Sequence, residues 1–127
     1  MTGSEEESYA SNKARVAELE ARKKRIRELN DAFRQTFSGG RIMITPGVRA
    51  LGVAALSALI QAVREFDAFT PDNDPYEEHD FGSIDLCGER IFWKIDAYSK
   101  CLEYGSPDAS DPKVTARVMT IMLASEY

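Results

Sequence analysis

The chain holds one histidine, two cysteines and one tryptophan among 127 residues, and each scarcity removes a class of chemistry. A zinc site asks for a compact set of His and Cys ligands, which His79 with the distant Cys87 and Cys101 does not supply. Metal phosphohydrolase sites fall for the same reason, since they need further histidines. Two cysteines make no disulfide framework, so both are expected as reduced thiols that serve as small packing residues. The longest nearly apolar run, residues 53–60, is far short of a membrane span. No serine sits in a glycine-flanked nucleophile elbow, and no internal repeat or low-complexity block is present. The opening Met1-Thr2-Gly3-Ser4-Glu5-Glu6-Glu7 is acidic where an export signal is basic and then apolar, so the expected location is cytoplasmic.

What is there reads as one ordinary folded domain: 43% hydrophobic and 29% charged residues are enough to build a core and a soluble surface. The net charge of −5 conceals an asymmetry. Residues 13–34 hold eight basic and four acidic side chains, whereas residues 66–127 hold five basic and thirteen acidic. One end is suited to polyanions and the other repels or imitates them.

Residues 1–8 have nothing to bury and are expected to be a disordered acidic tail, leaving 9–127 as a single domain. From about 9 to 37 the pattern predicts one long basic helix, with Val16, Leu19, Ile26, Leu29, Phe33 and Phe37 on one side. Its later half, from Ile26, is expected to pack on the body, while the earlier half projects or pairs with another chain. Ser38-Gly39-Gly40 ends it. Residues 41–44 form a short strand. Thr45 suits an N-cap and Pro46 a first helical position, opening a second helix that runs to about Phe66. Its stripe of Val48, Leu51, Ala55, Leu59, Val63 and Phe66 makes it central to the core.

Two strands follow near 79–86 and 89–98, joined at Cys87-Gly88-Glu89. Ile91, Trp93 and Ile95 face the core, and Phe92 lies on the wetter side. Residues 100–104 are a candidate extra strand. Asp111 and Pro112 resemble a helix start, and Val114, Val118, Ile121 and Met122 predict a C-terminal helix. The expected fold class is α+β: a small antiparallel sheet of three to four strands packed with the central apolar helix and the C-terminal helix.

Several motifs stand in fixed order: Phe66-Asp67, Asn73-Asp74-Pro75-Tyr76, Glu78-His79-Asp80-Phe81-Gly82 and Phe92-Trp93-Lys94-Ile95-Asp96. Gly105-Ser106-Pro107-Asp108, Asp111-Pro112, Arg117-Val118 and Thr120-Ile121-Met122-Leu123-Ala124 continue the series. From about Leu29 to the end the chain resembles a family of short bacterial proteins called domain of unknown function 3768. The resemblance implies an association with plasmids and other accessory DNA, and implies no activity. It also implies a glycine after Tyr76 and a Tyr-Asp pair after Asp96, where this chain has Glu77 and Ala97-Tyr98. These departures speak against catalysis at that position.

Asp72, Asp74, Glu78, His79 and Asp80 offer metal-type ligands in close succession. A calcium loop needs a ladder of oxygens and a central glycine, and here Pro75 interrupts the ladder and the glycine is missing. Turn capping explains the same residues without a metal. No cofactor, metal ligand or catalytic residue is expected, although His79 is the one side chain suited to proton transfer near neutral pH.

The expected function is therefore a non-enzymatic binding protein from accessory DNA. It inhibits a host defence nuclease or CRISPR effector through an acidic surface, with Asp72, Asp74, Tyr76, Glu77, Glu78, His79, Asp80 and Phe92 as contacts. Two alternatives stay open. One is a metal-dependent hydrolase centred on Glu78-His79-Asp80, favoured by a cleft joining His79 to residues 106–111. The other is a nucleic-acid-binding regulator using Arg22, Lys23, Lys24, Arg25 and Arg27, with a homodimer through Val16, Leu19 and Ile26.

Overall fold

The computed structural model describes residues 3–127. In chain order it contains α1 (Gly3–Thr36), β1 (Arg41–Ile44), α2 (Pro46–Arg49), α3 (Val53–Arg64), β2 (Phe81–Leu86), β3 (Glu89–Tyr98), β4 (Ala116–Leu123) and a closing 3₁₀ turn, Ala124–Glu126. The fold is α+β. The sheet order is β1-β4-β3-β2, with β1 parallel to β4 and the other neighbours antiparallel.

One face of the sheet is covered by the helices. Ile91, Trp93 and Ile95 of β3 and Met119 and Ile121 of β4 pack with Val48, Leu59, Val63 and Phe33 in one buried cluster. The alternation along β3 puts Phe92 on the opposite face, where its ring lies 5.1 Å from that of Phe81 and 5.7 Å from that of Tyr127. The hairpin closes through Cys87 and Gly88, at φ 54° and 75°. Two positive φ values in a two-residue loop match the right-handed twist of the flanking strands.

Several expectations change. Residues 114–123 contain no helix: β4 runs through them, and it makes the sheet mixed rather than wholly antiparallel. The expected second helix is two helices, because Gly52 at φ 96° cannot continue the first. Residues 3–8 of the expected tail belong to α1, and residues 1–2 lie outside the described residues. Residues 100–104 form a turn whose one bridge joins Tyr98 to Gly105. Cys87 and Cys101 are free and exposed, so they are not packing residues.

Thr45 does precede α2, but its hydroxyl donates to Glu126 (2.7 Å) instead of capping the helix. The Glu126 carboxylate also accepts from the backbone N–H groups of Gly47 (3.2 Å) and Leu123 (2.8 Å). These donors hold its pKa below the ordinary carboxylate range, the Thr45 hydroxyl most of all. Among the described residues no helix is long and apolar enough to cross a membrane.

Candidate functional site

Loop 65–80 has no regular structure, so its conformation depends on side chains supplied by elements around it. The last three turns of α1 supply most of them. Arg27, Asn30, Asp31 and Arg34 follow the helical spacing of three, four and seven, and so share one side of the helix.

Asn30 and Arg34 are buried. Asn30 donates through Nδ2 to the Glu78 carbonyl (2.9 Å) and accepts through Oδ1 from Arg117 Nε (2.9 Å). Arg117 reaches on to the Ala109 carbonyl. Burial lowers the pKa of this guanidinium from its ordinary value, with Arg25 adding to the effect.

Arg34 donates to the Val63 and Arg64 carbonyls at the end of α3 (3.1 and 3.0 Å), where a helix leaves acceptors unsatisfied and favours a cation. Its other terminal nitrogen meets Asp31 Oδ1 at 3.1 Å. The guanidinium carbon lies 5.5 Å from the ring centres of both Phe69 and Trp93, a double cation–π contact.

Asp31 then receives His79. The imidazole Nδ1 stands 2.8 Å from Asp31 Oδ1, and because a carboxylate accepts only, Nδ1 carries the proton. The ring is stacked on Phe69 at 3.7 Å with 3° between planes. Its Nε2 faces Asp74 Oδ2 at 3.5 Å. Asp74 is 6% exposed, and its Oδ1 accepts from the backbone N–H groups of Glu78 and His79, both at 3.1 Å. A buried carboxylate with such donors organises its loop.

The expected contact residues therefore divide. Asp72, Tyr76 and Glu77 are exposed; Glu78, His79, Asp80 and Phe92 are half-buried; Asp74 points inward. Burial raises the pKa of Glu78, reinforced by the neighbouring Asp80 charge, and burial likewise raises that of Asp80. A surface cleft of about 370 Å³ opens between the loop and α1, lined by Arg27, Phe69, Asp74, Glu77, His79 and the two loop prolines with Thr70. Residues 106–111 do not line it. They are tied to the same network through Arg117 instead.

Of the basic run, Arg22 meets Asp108 (3.3 Å), Lys23 meets Glu20 (3.4 Å) and Lys24 meets Glu28 (4.0 Å). Arg27 donates to the Glu77 carbonyl at 3.1 Å. Arg25 is exposed. Among the described residues no group of three or more His, Cys, Asp and Glu side chains is placed to hold a metal ion. Sequence reading missed Asn30, Asp31, Arg34, Phe69 and Arg117. The signal that could have found the first three is polar residues recurring within the stripe of Ile26, Phe33 and Phe37.

The sequence model of the family described as "Protein of unknown function (DUF3768)" matches residues 44–126. The match spans more than half of the chain, which belongs to that family. No curated protein and no solved structure matches.

Proposed function

We propose that this member of the DUF3768 family is a non-enzymatic binding protein that docks on a basic protein surface through the outer side of loop 72–77. The observation that supports this reading is the division of labour within the loop. Asp74 and His79 are turned in and hold the chain, while Asp72, Tyr76 and Glu77 are turned out, Tyr76 being 72% exposed. A loop fixed before binding loses little entropy on docking. An exposed tyrosine is a frequent interface anchor, and flanking carboxylates steer a basic partner into place. The partner class is a nucleic-acid-handling protein of a host defence system, such as a nuclease or CRISPR effector, met in the cytoplasm.

The test is affinity capture from the native host with wild type and Asp72→Ala/Tyr76→Ala, alongside the efficiency with which each protects a targeted plasmid from defence. Wild type should enrich one basic protein and protect the plasmid, and the double variant should lose both by at least about tenfold. Equal capture by the two forms, or protection without capture, rejects the loop as the docking surface.

A further inference from the structure

Along α1 the positions Tyr9, Asn12, Val16, Leu19, Lys23, Ile26, Asn30 and Phe33 follow alternating steps of three and four. That is the heptad spacing of a helix that packs along one seam. The last three of these are 3%, 4% and 2% exposed beneath the body of the protein. The same seam runs on bare beyond them: Tyr9, Val16 and Leu19 are 69%, 59% and 57% exposed. Residues 5–21 are exposed throughout, about 26 Å of helix, and Arg22 then meets Asp108 of the body. In proteins most of a helix's stability comes from packing of its apolar face.

We infer that this bare stretch pairs with the same stretch of a second copy, running antiparallel, to make a two-helix homodimer. Charge decides both the occupant and the direction. Glu5, Glu6 and Glu7 stand at one end of the stretch, and Arg22, Lys23, Lys24 and Arg25 at the other. A reversed copy that stacks Tyr9 on Leu19 and Asn12 on Val16 brings Glu5 beside Lys23, and Lys13 beside Glu20, twice each. Its like-charge meetings are Arg15 and Lys13, each with its own copy beside the two-fold axis, and Glu6 with Glu20. A parallel copy gains Arg15 beside Glu20, but it sets the whole acidic ends together, Lys23 against Lys23, and Arg22 against Arg27. The two bodies lie at opposite ends of the reversed pair, clear of one another. Three large apolar residues per copy make a contact at the small end of specific interfaces, so the dimer forms with rising concentration.

Ile26 takes no part in this dimer, because the body of its own chain covers it. The pairing does not depend on the loop reading above, and its test leaves the loop untouched.

Sedimentation equilibrium of the full chain up to ~1 mM should give a monomer–dimer equilibrium, and Val16→Lys/Leu19→Lys should remain monomeric throughout. Both residues lie outside the core, so near-ultraviolet circular dichroism from Trp93 should be unchanged. Direction is read from a spin label at Glu6→Cys, with Cys87→Ser and Cys101→Ser. The reversed pair sets the two labels about 25 Å apart. A monomer at the highest concentration, a dimer unaffected by the two lysines, or labels about 10 Å apart as in a parallel pair would each overturn the inference.

Discussion

Glu77 and His79 both sit at positive φ, 56° and 54°, two residues apart in the loop. For an ordinary L-residue that conformation costs about 1–2 kcal/mol, so something must hold it. At His79 the holders are visible: Asp74 accepts its N–H, Asp31 binds its ring and Phe69 stacks on it. At Glu77 the restraint is slighter, an N–H bond to the Asp74 carbonyl (3.1 Å) and the Arg27 guanidinium on its carbonyl. The glycine implied at this position by the family resemblance is the residue that this backbone favours. Glycine removes the strain but adds chain entropy to the unfolded state, so Glu77→Gly should stabilise by about 0.5–1 kcal/mol. Glu77→Val should destabilise by about 1 kcal/mol, since a β-branched residue fits this region worst. Urea unfolding of both variants checks the pair, and two changes of the same sign would contradict it. The residues of the site were half legible in the sequence. The concentration of carboxylates around His79 marked the loop, but only contacts some 48 positions apart reveal that Asp31 holds the histidine.

At the scale of elements, β4 shows why the final segment reads as a helix. Its burial pattern is nearly continuous, because it lies between β1 and β3. Val118 and Met122, on the face away from the helices, are 9% and 4% exposed. A strand buried on both faces loses its alternation, and a short apolar run is then ambiguous between strand and helix. Asp111-Pro112 imitates a helix start, but Asp111 accepts from the Lys113 N–H within a turn (2.9 Å). β3, with one wetter face, kept its alternation and was readable. The β2–β3 pairing sets Gly82 opposite Trp93, and a Cβ at Gly82 would run into the indole ring. Gly82→Ala should therefore destabilise by roughly 1–3 kcal/mol, as overpacking does. The measurement is the urea midpoint together with Trp93 fluorescence. An unchanged midpoint would mean that the ring has room to move.

For the whole molecule, the titrating carboxylates act in two directions. Glu78 and Asp80 have raised pKa values through burial, so the folded chain keeps their protons to higher pH than the unfolded chain. They lower stability as pH rises from the ordinary carboxylate range through their folded values. Glu126, held down first by the Thr45 hydroxyl, and Asp108, held down first by the Ser110 hydroxyl, do the opposite. Their contribution is present above the ordinary range and is lost as pH falls through their folded values. Glu78→Gln/Asp80→Asn should thus gain on wild type between about pH 4.5 and 7, and Glu126→Gln should lose more at pH 7 than at pH 3. Urea midpoints at the three pH values give both differences. A difference that does not vary with pH would contradict the assignment.

The sequence by itself determined the α+β class, the long N-terminal helix, the hairpin and the inward face of β3. Each rests on a local period or a turn residue that neighbours in the chain can specify. It also determined where the acidic loop lies. Only the tertiary structure decided that Gly52 splits a helix, that β4 is a strand running parallel to β1, and that Asp74 turns inward while Tyr76 turns out. These outcomes depend on which distant groups fill the remaining faces and satisfy the remaining hydrogen bonds, and no local pattern carries that information.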